Sequence, residues 1–482
     1  MTYRRGAVIP SAVILFILLS ASYVYAGSSS ENLLYIYSGG RKIGYSYDSV
    51  KTEGGITEAV EKARIKVRLL DNTGDVETEA HYRLSGGKLL SFDFRFESPS
   101  GKVTAGGERE GDTMRVKMKT ISGDSEFVFD VPPGLIPASM LPSRLMADSP
   151  AAGREYVVPV LDPVTVIAAS SPGGFETRHK ITGREGVEAP SLGVIDAWRV
   201  ESVLSGARVT SWITDGGELI KQSIPPGMTA LRDESGRVSE DGLSALDIEG
   251  ATSIPSDVAI KDPRGLVYMK AEIEGISPED GFDLSDAYRQ SFDGKYVSIR
   301  AGDTSSVKSY KLPNTEPEFV PYLASENLIQ SGDEKIVSKS REILGGEEDS
   351  LKAVRMLNGW VFTYLRKTGT AGIPNAKDVL KTGSGDCNEH SALFAALARA
   401  AGIPTKTVSG TIYLDGRFYY HAWNEVYVGE WVAVDPTFGQ VPADATHLKL
   451  VEGDLNKSSV IMNAAGKINL KILEASSNEI RK

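Results

Sequence analysis

The chain of 482 residues contains one cysteine, Cys387. It lies in Gly383-Ser-Gly-Asp-Cys-Asn-Glu-His-Ser-Ala-Leu-Phe-Ala-Ala-Leu-Ala-Arg-Ala-Ala-Gly-Ile-Pro404, which reads as the start, body and stop of a helix. Gly383 and Gly385 permit a tight turn, and Asp386 with Glu389 three residues on has the spacing of an N-terminal capping box. Gly402 and Pro404 end the helix. Cys387 therefore falls in the first helical turn, where unpaired N–H groups and the helix dipole favour a thiolate. A random lone cysteine is more often a small buried hydrophobe; here its placement argues for a nucleophile. Asp386 next door opposes thiolate formation, so a histidine partner is required.

The histidines are His81, His179, His390, His421 and His447. The first two lie in strand-rich sequence. His390, one turn from Cys387 on the same helix, cannot approach the thiol in line and is read as structural. His421 is better placed, on the second strand of a hairpin whose turn is Asp415-Gly416. That strand runs on through Tyr427 and returns as Trp431-Val-Ala-Val-Asp435. Strand alternation puts His421, Trp423, Glu425 and Tyr427 on one face and Ala422 and Val426 on the other. For Val432 and Val434 to join the second set, the connection must be odd in length, as with Val428-Gly-Glu430. Asp435 then lies beside Trp423 and diagonal to His421, close enough to orient the imidazole. Both side chains are expected on the face that meets the N-terminus of the Cys387 helix.

Gly-Asp-Cys-Asn-Glu-His, His-Ala-Trp-Asn-Glu-Val and Val-Asp-Pro-Thr together resemble the three signatures of the transglutaminase-like superfamily, relatives of papain-like folds. Asp435-Pro-Thr-Phe-Gly-Gln440 and Asp444-Ala-Thr-His-Leu448 are similar to exported bacterial members. The resemblance implies that Cys387 is the nucleophile, His421 the general base and acid, and Asp435 the residue that orients His421. It implies attack on an amide carbonyl and a thioester, resolved by water in a peptidase or by an amine in a transglutaminase; an aqueous compartment favours water. The Cys387 backbone N–H is one expected oxyanion donor; a second is left unassigned among Trp360, Tyr364 and Trp423. No cofactor or metal is expected, a shell of Cys387, His390, His421 and Asp435 being poorly compatible with the hairpin. The competing reading is a non-catalytic cell-envelope scaffold or binding protein that uses the same fold.

The elements that position these residues follow a change of period along the chain. The fold class is α+β: a large N-terminal antiparallel β domain, then a C-terminal papain-like or transglutaminase-like domain. Residues 27–235 carry short alternating runs such as Ser91–Phe96 and Thr113–Lys119, and a hairpin over Trp212–Lys221 turning at Asp-Gly. Gly134–Asp148 reads as a loop or short helix packed on that sheet. Residues 236–328 form a smaller β-rich middle segment. Residues 329–482 form the catalytic domain, opened by helices over Asp333–Leu344 and Asp349–Lys367, the latter with Ala353, Met356, Leu357, Trp360, Val361 and Tyr364 on one face.

A net charge of -11 and a pI near 5.2 argue against nucleic acid as a partner; a protein or peptide substrate is expected. Arg4 and Arg5 precede an apolar stretch, with Val24 and Ala26 at the positions a signal peptidase reads, so residues 1–26 are expected as an export signal cleaved before Gly27. The alternative keeps residues 7–26 as an inner-membrane anchor. Either places the protein in the periplasm or outside the cell. One unpaired thiol suits that compartment, having no internal partner for mispairing.

Overall fold

The computed structural model describes residues 29–69, 72–168, 175–190, 192–204, 206–233, 237–286, 288–369, 372–453 and 459–477. The proposed signal segment lies outside the described residues. Among those described, no helix is long and apolar enough to cross a membrane. The chain divides into two compact units, one with described residues 29–167 and 175–248 and one beginning at Glu249.

The first unit is built on alternation. Phe92, Phe94 and Phe96 are buried on one face of their strand, as are Met114, Val116 and Met118 on theirs, because a period of two puts every second side chain on the same side. Eight strands follow in succession: Ser29–Ser38 (β1), Arg41–Glu53 (β2), Ile56–Leu69 (β3), Asn72–Ser85 (β4), Lys88–Ser98 (β5), Gly101–Glu110 (β6), Thr113–Thr120 (β7) and Gly123–Asp130 (β8). After Ile136–Pro137 (β9) and the helix Leu141–Met146 (α1) come Glu155–Leu161 (β10), helix Pro163–Ala168 (α2) and Glu176–Ala189 (β11). Gly193–Leu204 (β12), Ala207–Ile213 (β13), Leu219–Ile224 (β14), Met228–Arg232 (β15) and Leu246–Asp247 (β16) complete the unit. They form one sheet in the order β8 through β1, then β15 back through β9, with β16 added to β3. The Phe129 and Phe175 rings, near its two ends, stand 5.0 Å apart, so those ends approach each other. The segment around α1 packs on the sheet, the Ser139 N–H donating to Glu61 at 2.6 Å.

Helix Ile248–Thr252 (α3) straddles the boundary, and the second unit continues with strands Ile254–Pro255 (β17), Tyr268–Glu274 (β18), Gln290–Phe292 (β19) and Tyr296–Arg300 (β20). Helices Glu334–Leu344 (α4) and Ser350–Tyr364 (α5) follow, each N-capped by an aspartate, Asp333 and Asp349. Then come Arg366–Lys367 (β21), Ala376–Thr382 (α6), Ser384–Gly385 (β22) and Cys387–Ala400 (α7). Strands Thr405–Leu414 (β23), Arg417–Tyr427 (β24), Trp431–Val434 (β25), Leu448–Glu452 (β26) and Asn469–Ser476 (β27) close it. The central sheet runs β17-β24-β23-β26 with β25 on β24, and a second sheet runs β19-β20-β18-β27.

The middle segment shares its sheets with the residues that follow: β17 pairs with β24 and β18 with β27, and Met269, Val297 and Ile299 share a core with Phe418, Leu450 and Leu470. One sequence expectation is corrected here. Helix α5 ends at Tyr364, and Arg366–Lys367 leaves it to pair in parallel with Ser384–Gly385. Its buried stripe is centred on Ala353, Leu357 and Val361, while Met356 and Tyr364 are 39% exposed, because Trp360 and Tyr364 stack on each other at 4.3 Å beside the core.

The shared sheets predict how the chain can be cut. A protein starting at residue 329 loses β18 and β20 and exposes the buried partners of Leu450 and Leu470, and should lack a cooperative thermal transition, whereas one starting at 249 should keep it. Cooperative, native-like melting of the shorter form would contradict the shared core.

Candidate active site

The capping box forms as its residues dictate. Asp386 Oδ1 accepts from the Asn388 N–H at 2.8 Å, and the Asp386 N–H donates to Glu389 Oε2 at 2.9 Å. A Cβ on Gly385 would lie 2.2 Å from the Glu389 Cβ, so a glycine is needed where the chain enters α7. Cys387, 1% exposed, is the first residue of that helix. His390 is fully buried; its Nδ1 lies 2.6 Å from the Asp386 carbonyl oxygen, and burial first of all lowers its pKa to about 4. It serves the helix start as a neutral ring.

Hairpin β23–β24 turns at Asp415-Gly416, where both residues have positive φ, 49° and 86°. These angles fit the twist of a two-residue turn. Tyr427 pairs with Trp431 and Val426 with Val432, so the connection is Val428-Gly-Glu430. Val426, Val432 and Val434 then pack against Leu393, Phe394 and Leu397 of α7, and Asn424 Nδ2 donates to the Ser391 carbonyl at 3.3 Å. The body of the helix thus meets the valine face. Cys387 approaches β24 at its backbone instead, where the Ala422 N–H donates to the sulfur.

His421 and Asp435 come together on the opposite face. His421 Nε2 lies 2.9 Å from Asp435 Oδ2, both side chains fully buried. Asp435 Oδ1 accepts from the Thr437 and Phe438 N–H groups at 2.7 and 3.2 Å. With Nε2 so engaged, His421 presents Nδ1 as its acceptor, and that atom has no hydrogen-bond partner among the described residues.

A residue to which the sequence reading gave no role completes the group. His447 Nε2 lies 3.0 Å from the same Asp435 Oδ2, and its Nδ1 lies 3.2 Å from the Asp444 carbonyl oxygen and 3.4 Å from Asp444 Oδ1. Acceptors on both sides favour the doubly protonated ring. Asp444 is itself paired with Arg264 at 2.9 Å, and the Arg264 guanidinium lies over the Phe438 ring. Gly410, opposite His421 in the β23–β24 register, makes this possible. A Cβ there would lie 2.0 Å from the Leu448 carbonyl and 2.7 Å from the Trp423 ring, so its absence lets β26 and the preceding His447 approach; overpacking at such a point costs about 1–3 kcal/mol. The only sequence signal was the segment Asp444-Ala-Thr-His-Leu448, and distance along the chain hid its contact with Asp435.

The electrostatics follow from these contacts. Burial would raise the pKa of Asp435, but His421 and His447 hold it well below the usual carboxylate range. Burial lowers that of His421 and outweighs Asp435, with the positive charges of His447 and Arg264 acting in the same direction as burial. For His447 burial is outweighed by Asp444 and Asp435, and its pKa is raised. The Cys387 thiol is pushed up, first by burial and then by Asp386, with Glu389 and Asp435 adding to it and only the Ala422 N–H opposing. Burial and the Asp386 carboxylate thus work against the thiolate that the helix N-terminus favours, and burial works against an imidazolium at His421. His421, Asp435 and His447 bring their ligand atoms within 4.8 Å of one another and could hold a metal ion, although both imidazole–carboxylate distances are those of hydrogen bonds. Of the other aromatics, Tyr364 donates to the Leu380 carbonyl at 2.5 Å. Trp423 stacks on His421 with its ring N–H buried and without a partner among the described residues.

Residues 337–436 match the family model described as the Transglutaminase-like superfamily. This stretch of the second unit is thus a transglutaminase-like domain. The chain is 29% identical over 171 residues to the kyphoscoliosis peptidase of Mus musculus, covering 32% of this chain and 25% of that protein. It is 29% identical over 161 residues to the Homo sapiens protein of the same name, covering 30% and 24%. The chain thus spans about a quarter of the length of these curated relatives. Among solved structures, a protein of Cytophaga hutchinsonii described as a candidate cysteine protease aligns at 16% identity and TM-score 0.29, over 44% of this chain and 86% of its own. One from Parabacteroides distasonis described as a candidate protease aligns at 13% and 0.20, over 78% and 64%.

The shared carboxylate predicts an effect for His447→Gln. Loss of the second imidazolium removes a charge that keeps His421 neutral, so the His421 pKa should rise, by about half a unit to one unit. Measured as the acidic inflection of Cys387 alkylation rate against pH, that inflection should move upward; an unmoved profile would mean that His447 carries no charge.

Proposed function

We propose that the second unit is an exported cysteine enzyme that cleaves amide bonds in a protein or peptide, with Cys387 as nucleophile, His421 as general base and acid, and Asp435 orienting His421. The observation that carries this reading is the tautomer imposed on His421: Nε2–H faces Asp435 at 2.9 Å, which leaves Nδ1 to accept a proton. In the reaction, Nδ1 takes the Cys387 proton as sulfur bonds to the carbonyl carbon. The tetrahedral intermediate collapses as the imidazolium gives that proton to the leaving amine, and the C–N bond breaks. Water, activated by the same nitrogen, then hydrolyses the thioester. Asp435 stabilises the transient imidazolium and keeps its own charge throughout.

Hydrolysis is favoured over transfer to an amine because the mouse and human relatives are named peptidases and water is the abundant acceptor. Export rests on the pattern of residues 1–26. A second reading, a non-catalytic envelope scaffold, is favoured by one observation, the 1% exposure of Cys387.

These readings predict different adducts. Intact-mass analysis of protein from its native host, after treatment with a thiol-directed peptide electrophile, should give a mass beginning at Gly27 with one adduct on Cys387. Cys387→Ala should take up none. Asp435→Asn should keep the fold and lose turnover by roughly two to four powers of ten. Because the pKa of His421 lies below its ordinary value, it stays an unprotonated base as pH falls through about 6.5, and reactivity should be lost only below that. Labelling of Cys387 only in denatured protein would favour the scaffold.

A further inference from the structure

Lys367, expected at the end of a helix, stands instead beside the residues that lead into Cys387. The Arg366 N–H donates to the Gly383 carbonyl at 2.9 Å, and the Thr368 N–H to the Gly385 carbonyl at 3.1 Å. Lys367 itself pairs with Gly385 in β22, which leads directly into the Cys387 helix. Its Nζ lies 4.3 Å from the Phe362 ring centroid. That ring packs on Gly439, where an added Cβ would lie 2.9 Å from it. Gly439 belongs to the turn that joins Asp435 to Gln440. The ammonium is thus held between the segment that delivers Cys387 and the segment that delivers Asp435.

Among the other half-buried lysines of this unit, Lys339 is paired with Glu342 at 2.6 Å, Lys377 with Asp333 at 2.8 Å and Lys406 with Glu452 at 3.0 Å, whereas Lys270, far from the site residues in the chain, lies over the Tyr296 ring at 5.0 Å. Lys367, half-buried, has no such partner among the described residues. Burial lowers its pKa, and Asp435 acts in the opposite direction from within the site. Asp435 cannot serve as its ion-pair partner, because both its oxygens are taken by His421, His447, Thr437 and Phe438. A partly desolvated ammonium beside a nucleophile gains most from an anion that arrives with the substrate.

We propose that Lys367 forms a carboxylate-binding subsite next to Cys387, so that the enzyme acts on peptides that carry a carboxylate beside the amide under attack. The carboxylate is an acidic side chain or a free C-terminus. This rests on the amide-cleaving reading given above. Lys367 acts on substrate binding, whereas an ammonium aimed at the tetrahedral oxyanion would act on every substrate alike.

Two small reagents test the charge, and matched peptides test its source. The ratio of Cys387 alkylation rates by iodoacetate and by iodoacetamide should fall roughly threefold or more in Lys367→Met and be kept in Lys367→Arg. An unchanged ratio in Lys367→Met would overturn the subsite while leaving the nucleophile in place. A Cys387 that neither reagent reaches in the folded protein would sink the amide-cleaving reading and the subsite together. Among peptides differing only as Glu against Gln, or as free acid against amide at the C-terminus, wild type should prefer the acid form of one pair through KM. Lys367→Met should lose that preference; an equal loss of kcat on all four peptides would assign the lysine to the oxyanion and overturn the proposal.

Discussion

The organisation of the site depends on the Asp435 carboxylate, buried and shared between two imidazoles. A lone carboxylate fully removed from water would take up a proton. Here four donors offset the desolvation: two ring N–H groups on Oδ2 and two backbone N–H groups on Oδ1. The two rings do not receive equal treatment. His447 is bounded by acceptors at both nitrogens and takes the charge, whereas His421 has a carboxylate at one nitrogen and no partner at the other. The same anion thus stabilises one imidazolium and holds the other ring in the tautomer that can accept a proton.

Much of the surrounding structure serves to deliver these groups to one place. Strand β25 is only four residues long, and its pairing with β24 ends at Asn424 and Val434, so the next residue, Asp435, turns away through its bridge with Gln440. Gly410 admits β26, and with it His447. The capping box starts α7 at Cys387, and packing of that helix on the valine face sets how far the sulfur reaches toward Ala422. Burial and Asp386 oppose the thiolate, so the reactivity of Cys387 depends on a neighbouring base as well as on the helix dipole.

What could be read from the sequence was whatever local rules determine. Asp386 and Glu389 marked a helix start, Asp415-Gly416 marked a hairpin, and period-two alternation with a three-residue connection set the register that brings His421 and Asp435 to one face. Contacts set by tertiary packing were hidden. His447 lies in an irregular segment with no periodic signal, and nothing local ties it to Asp435. Lys367 continued an apparently helical run, and only its pairing with Ser384–Gly385 in the folded chain draws it into a strand. The partner strand of the middle segment, β27, lies far along the chain from it, so no local pattern could show where that segment packs.

The central claim is that one carboxylate holds two histidines in different protonation states. Nitrogen-15 NMR of the histidine rings in the folded protein near neutral pH measures this directly. The account predicts a neutral His421 with its proton on Nε2 and a doubly protonated His447, because the pKa of the first is lowered and that of the second raised. A charged His421, or a neutral His421 with its proton on Nδ1, would contradict it.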